Sequence, residues 1–368
     1  MEIMEINKTF WKNKKIFLTG HTGFKGTWLT IWLRILGAEV MGFSLPPNTT
    51  PSMYSQIETD VDIDSCYGDV RNFDLLSEKI RQFKPDIVMH LAAQAIVRYS
   101  YHNAVETFNT NVIGTAHVLE AIRYSDSVRA VLCITSDKCY ENREWLWKYR
   151  ENDPMGGWDP YSASKGCSEL VISSYRDSFF NNNQYQKHGI ALASARAGNV
   201  IGGGDWGENR LIPDIMRAYS VHKKVSIRNP KAVRPWQHVL DLLSGYLLLT
   251  ERLYKKGPEY AEAWNFGPGD GGDLTVLEIV DYISKSWGDG VSYTISPDNN
   301  LHESYLLKLD SSKARSRLGW STRLTIEESL EKVIRWYKGF YDHRKPAYAM
   351  TENQISEYVA KLKSNVKN

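Results

Sequence analysis

At 368 residues, and roughly 150 residues per domain, the chain fits one large α/β unit or two domains. Its 42% apolar and 24% charged residues are ordinary for a globular protein, which excludes a disordered or collagen-like chain. A formal net charge of +2 provides no field that would hold nucleic acid or an anionic membrane, so neither is expected as a partner.

No apolar run approaches the ~18 residues of a spanning helix, and residues 1–8 lack a signal-peptide core, so a soluble, cytoplasmic protein is expected. Cys66, Cys133, Cys139 and Cys167 have no paired spacing and no His partners at zinc-site intervals, so reduced thiols and no metal are expected. The 12 Trp and 21 Tyr either fill a core or line a pocket.

In chain order, 15–19 reads as a buried strand and 28–36 has the apolar density of a helix. Strand patterns at 39–43, 86–90, 130–135 and 191–195 then alternate with helical patterns near 73–82, 104–124 and 161–180. Such alternation implies βαβ units and a doubly wound parallel sheet of the Rossmann type, with helices on both faces. After about residue 197 the pattern loosens into helices near 211–220, 238–254, 275–286 and 325–341, separated by loops rich in Gly, Pro and Asn. The organisation expected is a dinucleotide-binding domain over 1–197, to which about 234–268 returns. A smaller mixed α/β substrate-binding part over 198–345 follows, then a tail over 346–368 with a helix-like stretch at 353–363.

Directly after the first strand comes Thr19-Gly20-His21-Thr22-Gly23-Phe24-Lys25-Gly26. Glycines at this spacing, between a strand and a helix, let the backbone turn tightly and bring N–H groups close to a pyrophosphate. A purely structural turn is the alternative. Further on, Tyr161 and Lys165 stand four residues apart on a helical pattern and so share a face. An ammonium near a phenol lowers its pKa and lets it act as a base. Thr135-Ser136-Asp137-Lys138 closes a strand, at the carboxyl edge where open α/β sheets bind ligands. Read blandly, Asp137 and Lys138 are a surface ion pair worth at most about 1 kcal/mol.

The glycine spacing resembles that of the short-chain dehydrogenase/reductase superfamily, in the extended branch that acts on nucleotide sugars. The succession Asn111, Ser136, Tyr161, Lys165 is similar to its Asn–Ser/Thr–Tyr–Lys tetrad. This resemblance implies NAD as cofactor, held by the loop from Gly20 to Gly26, including Thr22, Gly23, Phe24 and Lys25. It implies Asp69 and Val70 at the adenine, and Leu91, Ala92, Ala93, Tyr161 and Lys165 beside the cofactor, with Gln94 meeting the substrate. The chain departs from the pattern after its second strand, where no carboxylate awaits the ribose; Ser44 is the candidate there. No Arg stands at that turn for a 2′-phosphate, which favours NAD over NADP.

A titratable pair after the Ser resembles the sugar-nucleotide 4,6-dehydratases, although Lys138 replaces their usual Glu. Residues 21–29, 136–140, 195–206, 209–214 and 234–239 together resemble those members that act on CDP-D-glucose, a likeness running over about 12–340. The implied reaction begins with 4-oxidation, in which Tyr161 takes the hydroxyl proton and NAD the hydride. Lys138 as base and Asp137 as acid then eliminate water across carbons 5 and 6, and hydride returns to carbon 6. In the fallback, Lys138 only stabilises the enolate as a cation. The implied product is CDP-4-keto-6-deoxy-D-glucose, a precursor of the dideoxyhexoses of bacterial surface polysaccharides such as the lipopolysaccharide O-antigen.

Arg210 and Arg234 carry forked donors suited to the substrate diphosphate, Asn199 lies in a glycine-rich loop, and His302 in a loop near the nucleotide. An ordinary surface arginine is the lesser alternative for Arg210 and Arg234, and a solvated loop is an equal one for His302. A homodimer through 104–124 and 161–180, or a homotetramer, is the family expectation. The rival readings are a 4-epimerase or 4-reductase on another nucleotide sugar, and an NAD-sensing protein without turnover.

Overall fold

Strands buried on both faces lose polar alternation, and the middle of the sheet does so here. In the computed structural model, which describes residues 5–269, 273–288, 290–296 and 305–364, every residue of β4 (Ile87–His90), β5 (Ala130–Ile134) and β6 (Ala191–Ala197) is buried. With β1 (Lys15–Thr19), β2 (Glu39–Ser44), β3 (Asp64–Tyr67) and β7 (Ala263–Phe266) they form one sheet in the order β7-β6-β5-β4-β1-β2-β3. All its pairings are parallel, with Thr19 level with His90 on one side and Phe43 on the other. Chain order reverses between β1 and β4, so a crevice opens there beyond the carboxyl ends of the strands.

The two faces follow from the period of two along each strand. Ile16, Leu18, Met89, Leu132 and Ala193 point into one core, Phe17, Val88, Val131 and Leu192 into the other. The first core is covered by α1 (Phe24–Ile35) through Trp28 and Trp32, and by an α-helix at Val239–Lys256 through Leu240, Leu243 and Leu247. The second is covered by α2 (Phe73–Phe83), α3 (Gly114–Arg123) and α4 (Pro160–Ser178), which supply Leu76, Ile80, Val118 and Ile172. Numbering on, the Val239–Lys256 helix is α5.

The helical pattern read over 104–124 is not one regular helix. Ala104–Phe108 and α3 are joined by a wide π turn at Asn109–Ile113, which carries Asn111. Single π turns are favoured where a side chain is re-aimed for another purpose, and the purpose of Asn111 is given below. Past β6, short strands pair in twos: Val200–Ile201 with Gln237–His238, Val225–Ile227 with Tyr293–Ile295, and Val233–Pro235 with Asp273–Thr275.

The tail forms a longer helix than its sequence indicated. After α6 (Ile326–Tyr341), α7 (Ala347–Ser364) lies over α1, with Tyr358 edge-on to Trp32 and its hydroxyl donating to Asp241 of α5. The aromatic surplus mostly fills the core: Trp11, Trp28, Trp32, Trp264, Trp320 and Trp336 are fully buried. Among the described residues no helix is long and apolar enough to cross a membrane, and no group of side chains could hold a metal ion.

Candidate active site

At the crevice, the glycine loop and the end of β4 approach to backbone contact. Gly20 has φ +76°, and a Cβ there would lie 2.7 Å from the Ala92 nitrogen; one at Gly26 would lie 2.0 Å from the Gly20 carbonyl oxygen. Thr19 Oγ1 accepts from the N–H groups of Leu91 and Ala92, both at 3.1 Å, which fixes the strand ends beneath the loop. Gly23 starts α1 without a side-chain cap, so the first-turn N–H groups of Phe24 and Lys25 face the crevice without a capping oxygen. Thr22 Oγ1 meets Ser44 Oγ at 2.9 Å at the tip of β2. Asp69 is gripped by the Arg71 guanidinium, and Val70 packs under Gly114. The cradle that a Cβ would fill at Gly20 and Gly26, beside uncapped N–H groups and two hydroxyls, fits a dinucleotide.

Across the crevice, Asp159 caps α4 by accepting from Ser162 N–H, and Pro160 occupies the first turn. The next residues deliver Tyr161 and Lys165, both buried. Ser136, just past β5, hydrogen-bonds with the Tyr161 phenol and donates to Asp137 Oδ1 at 3.0 Å. Its Oγ also accepts from Lys138 N–H at 3.3 Å, which curls Asp137–Cys139 into a single tight turn. Lys138 stands half-buried beside the buried Asp137.

The electrostatics correct one expectation. A phenol lowered by Lys165 was read from the spacing, but burial dominates and pushes Tyr161 up to about 12, against the pull of Ser136 and Arg210. Burial also raises Asp137, against the attraction of Lys138, the Ser136 hydroxyl and Arg234. It lowers Lys165 to about 8, with Glu169 opposing. Burial, then Lys165 and Arg210, bring Lys25 down to about 8 as well, while Asp137 and Asp205 oppose. Three cations and two carboxylates thus share one enclosed space with the phenol.

Lys25 therefore does more than lend a backbone N–H: its side chain joins this cluster. Arg210 Nη1 is held by Asp205 at 3.1 Å. Arg234 Nη1 donates to the carbonyls of Val233 and Tyr305, with its charge felt at Asp137. The Asn199 carbonyl accepts from Gln237 N–H at 3.0 Å. Asn111 acts as a strap. Its Nδ2 donates to Ser164 Oγ (2.8 Å) and to the Gln94 carbonyl (3.0 Å), and its Oδ1 accepts from Gln94 N–H. The Gln94 side-chain amide donates to Thr107 Oγ1 and accepts from Ile96 N–H, so both of its ends are bonded within the chain. His302 lies outside the described residues.

Three buried residues went unread in the sequence: Asp205, Glu169 and Arg196. For Glu169 the signal existed, since 161, 165 and 169 repeat the interval of four that defined the helix face. Arg196 gave none, because its partners Tyr140, Glu151 and Glu169 are distant in sequence, and Asp205 sits in a loop whose sequence carries no helical or strand period to mark it.

Comparison with known proteins agrees with this architecture. A family model described as GDP-mannose 4,6 dehydratase matches residues 17–333. The CDP-glucose 4,6-dehydratase of Salmonella typhimurium is 50% identical over 355 residues, covering 96% of this chain and 99% of that protein. The UDP-glucose 4-epimerase of Halalkalibacterium halodurans is 24% identical over 332 residues, 88% of this chain and 95% of its own. Among solved structures, the dTDP-glucose 4,6-dehydratase of Bacillus anthracis in complex with NAD shares the fold, with a TM-score of 0.72 at 20% identity over 89% of this chain and 98% of that one. Matched across most of its length by the family model, and on half its aligned positions by a full-length relative, the chain belongs to the GDP-mannose 4,6 dehydratase family.

Proposed function

We propose that the chain is a lyase that converts CDP-D-glucose to CDP-4-keto-6-deoxy-D-glucose and water with NAD recycled. The half-identical Salmonella typhimurium relative bearing that activity supports the substrate. The observation that carries the chemistry is the meeting of Tyr161, Ser136 and a buried Asp137, pushed toward its acid form by that burial, in one space with Lys165, Lys25 and Arg210. An epimerase has no use for the titratable Asp137–Lys138 pair.

The chemistry a bound NAD supplies is hydride acceptance from carbon 4 and hydride return to carbon 6, and its positive ring favours the Tyr161 phenolate. Tyr161 accepts the 4-hydroxyl proton, with Ser136 orienting the oxygen. The resulting ketone acidifies the hydrogen on carbon 5, and Lys138 takes that proton. Asp137, whose burial favours the acid form, gives its proton to the 6-hydroxyl, which leaves as water and places a double bond between carbons 5 and 6. A proton exchanged with solvent then returns from Lys138 to carbon 5.

Arg210 and Arg234 take the diphosphate, and Asn199 with the 198–345 part lines the sugar-nucleotide side. Thr22, Ser44, Asp69, Val70 and the loop glycines hold the cofactor. Four free cysteines support a reducing, cytoplasmic setting. Exposed Val105, Ile113, Leu170 and Phe179 support a homodimer through the stretches 104–124 and 161–180. The product suits the assembly of surface-polysaccharide dideoxyhexoses.

The test is incubation with CDP-D-glucose and catalytic NAD in D₂O. A 4-keto-6-deoxy product with deuterium at carbon 5 is expected. A 4-epimer, or a product without that label, overturns the reading.

A further inference from the structure

Behind the turn that carries Ser136, Asp137 and Lys138, a carboxylate and a guanidinium are buried together. Glu169 Oε2 and Arg196 Nη2 are 2.8 Å apart, with both side chains almost wholly inaccessible. One further hydrogen bond from each runs to an end of the turn. Glu169 accepts from the Thr135 hydroxyl, at the last residue before Ser136, and from Ser194 Oγ on β6 at 2.8 Å. Arg196 Nη1 donates to the Tyr140 hydroxyl at 2.8 Å, at the first residue past Cys139, and to the Glu151 carbonyl at 2.9 Å. Tyr140 in turn donates to Asn265 Oδ1 on β7 at 2.7 Å.

We propose that the Glu169–Arg196 pair is a positioning clamp: it fixes both ends of the 135–140 turn, and so the placement of Asp137 and Lys138, while its carboxylate supports the charge on Lys165. Neither residue is a catalytic one, since the hydrogen bonds of the pair go to Thr135, Ser194, Tyr140, Glu151 and each other rather than to the proposed acid, base or phenol. The geometry accounts for a cost the fold would otherwise not carry, because a buried ion pair is rarely more stable than an apolar pair of the same volume.

The electrostatic half follows from position. Glu169 sits one helical turn beyond Lys165 and is the leading charge that raises the Lys165 pKa against burial. The other titratable groups facing Lys165 are Cys133 on β5, Cys139 in the turn, Lys25 on α1 and His90 on β4, with Tyr161 one turn before it. Glu169 itself faces Arg196 and, more distantly, Arg176.

The role assigned to the turn rests on the dehydratase reading, and the experiment separates the two. Glu169→Gln removes the charge and keeps the shape; Thr135→Val removes only one tie. For Glu169→Gln, kcat is expected to fall about 10- to 100-fold at unchanged KM for CDP-D-glucose. The alkaline limb of its pH–rate profile is expected to move about one pH unit lower. Thr135→Val is expected to lose kcat alone, with the limb in place, and Glu169→Asp to recover the limb. In both Glu169→Gln and Thr135→Val, amide hydrogen exchange across residues 136–140 is expected to quicken while the rest of the sheet is unchanged.

A merely structural pair would lower Tm without moving the limb or the KM-to-kcat split. Parent-like kcat and exchange at 136–140 in Thr135→Val overturn the clamp, even where Glu169→Gln does not fold. A parent protein inactive on CDP-D-glucose overturns the dehydratase reading instead, and the exchange measurement then still decides the clamp.

Discussion

Tyr161 and Lys138 serve different halves of the proposed reaction, so their removal should fail at different stages. Tyr161→Phe deletes the oxygen proposed to take the 4-hydroxyl proton, and turnover is expected to drop by at least about 10²-fold. Nothing in the cradle at Gly20 and Gly26 changes, so NAD affinity should stay within about twofold; intact turnover would remove Tyr161 from its role. Lys138→Ala leaves that oxidation in place and removes the base at carbon 5. Single-turnover traces should show reduced cofactor accumulating while water loss slows by about 10² or more. Elimination at the parent rate would mean that another group takes the proton, and Lys25, near pKa 8 and within the field of Asp137, is the next candidate. The two roles differ in how they could be read beforehand. Tyr161 and Lys165 follow from an interval of four on a helix, whereas a lysine inside a glycine loop reads as a backbone donor. Only the folded arrangement brings the Lys25 side chain to Asp137 and Lys165.

At the level of elements, burial decided what could be read. β4, β5 and β6 are covered on both faces and stand out as apolar runs. β3 lies at the sheet edge with Asp64, Ser65 and Tyr67 exposed, so no run marks it. β7 is interrupted by Asn265, a buried amide that donates to the Tyr149 carbonyl at 2.9 Å. The π turn at Asn109–Ile113 escaped because five residues are too few to separate its period from that of an α-helix. The strap it creates ties β4 to α4 through Asn111, next to the helix pair proposed as the dimer contact. Leu170 is 61% exposed on α4 and is one of the exposed apolar side chains that support the dimer contact. Leu170→Glu is therefore expected to halve the mass measured by light scattering while leaving the circular dichroism of the chain intact. A parent protein that is already monomeric at micromolar concentration would remove the proposed interface.

For the whole molecule, three histidines tie stability to pH. His21 is bonded to Ser65 Oγ, His90 lies between Thr19 and Thr115, and His238 accepts from Leu240 N–H. Burial lowers His21 to about 4 and His90 and His238 to about 3. In the unfolded chain each titrates near 6.5. Below that pH the unfolded state binds protons that the folded state refuses, so their contribution is complete above about 6.5 and is lost as pH falls. Each histidine accounts for about 1.4 kcal/mol per pH unit. Asp241 works in the opposite sense. Burial raises it to about 6, above its unfolded value near 3.9, so the folded state takes up a proton first and gains stability as pH falls between the two. Between pH 6 and 5 the net difference is two protons, or about 3 kcal/mol per pH unit, a large share of the roughly 5–15 kcal/mol that holds a typical protein folded. Paired carboxylates such as Glu169, held low by Arg196, add to the loss only at lower pH. Denaturant midpoints measured between pH 7 and 5 should therefore fall steeply below 6.5. Replacing His238 by Gln should flatten that slope by about 1.4 kcal/mol per pH unit, because one refused proton is gone. Midpoints level from pH 7 to 5 would mean that the buried imidazoles gain protons in place, with water or a shifted strand end reaching them before the sheet opens.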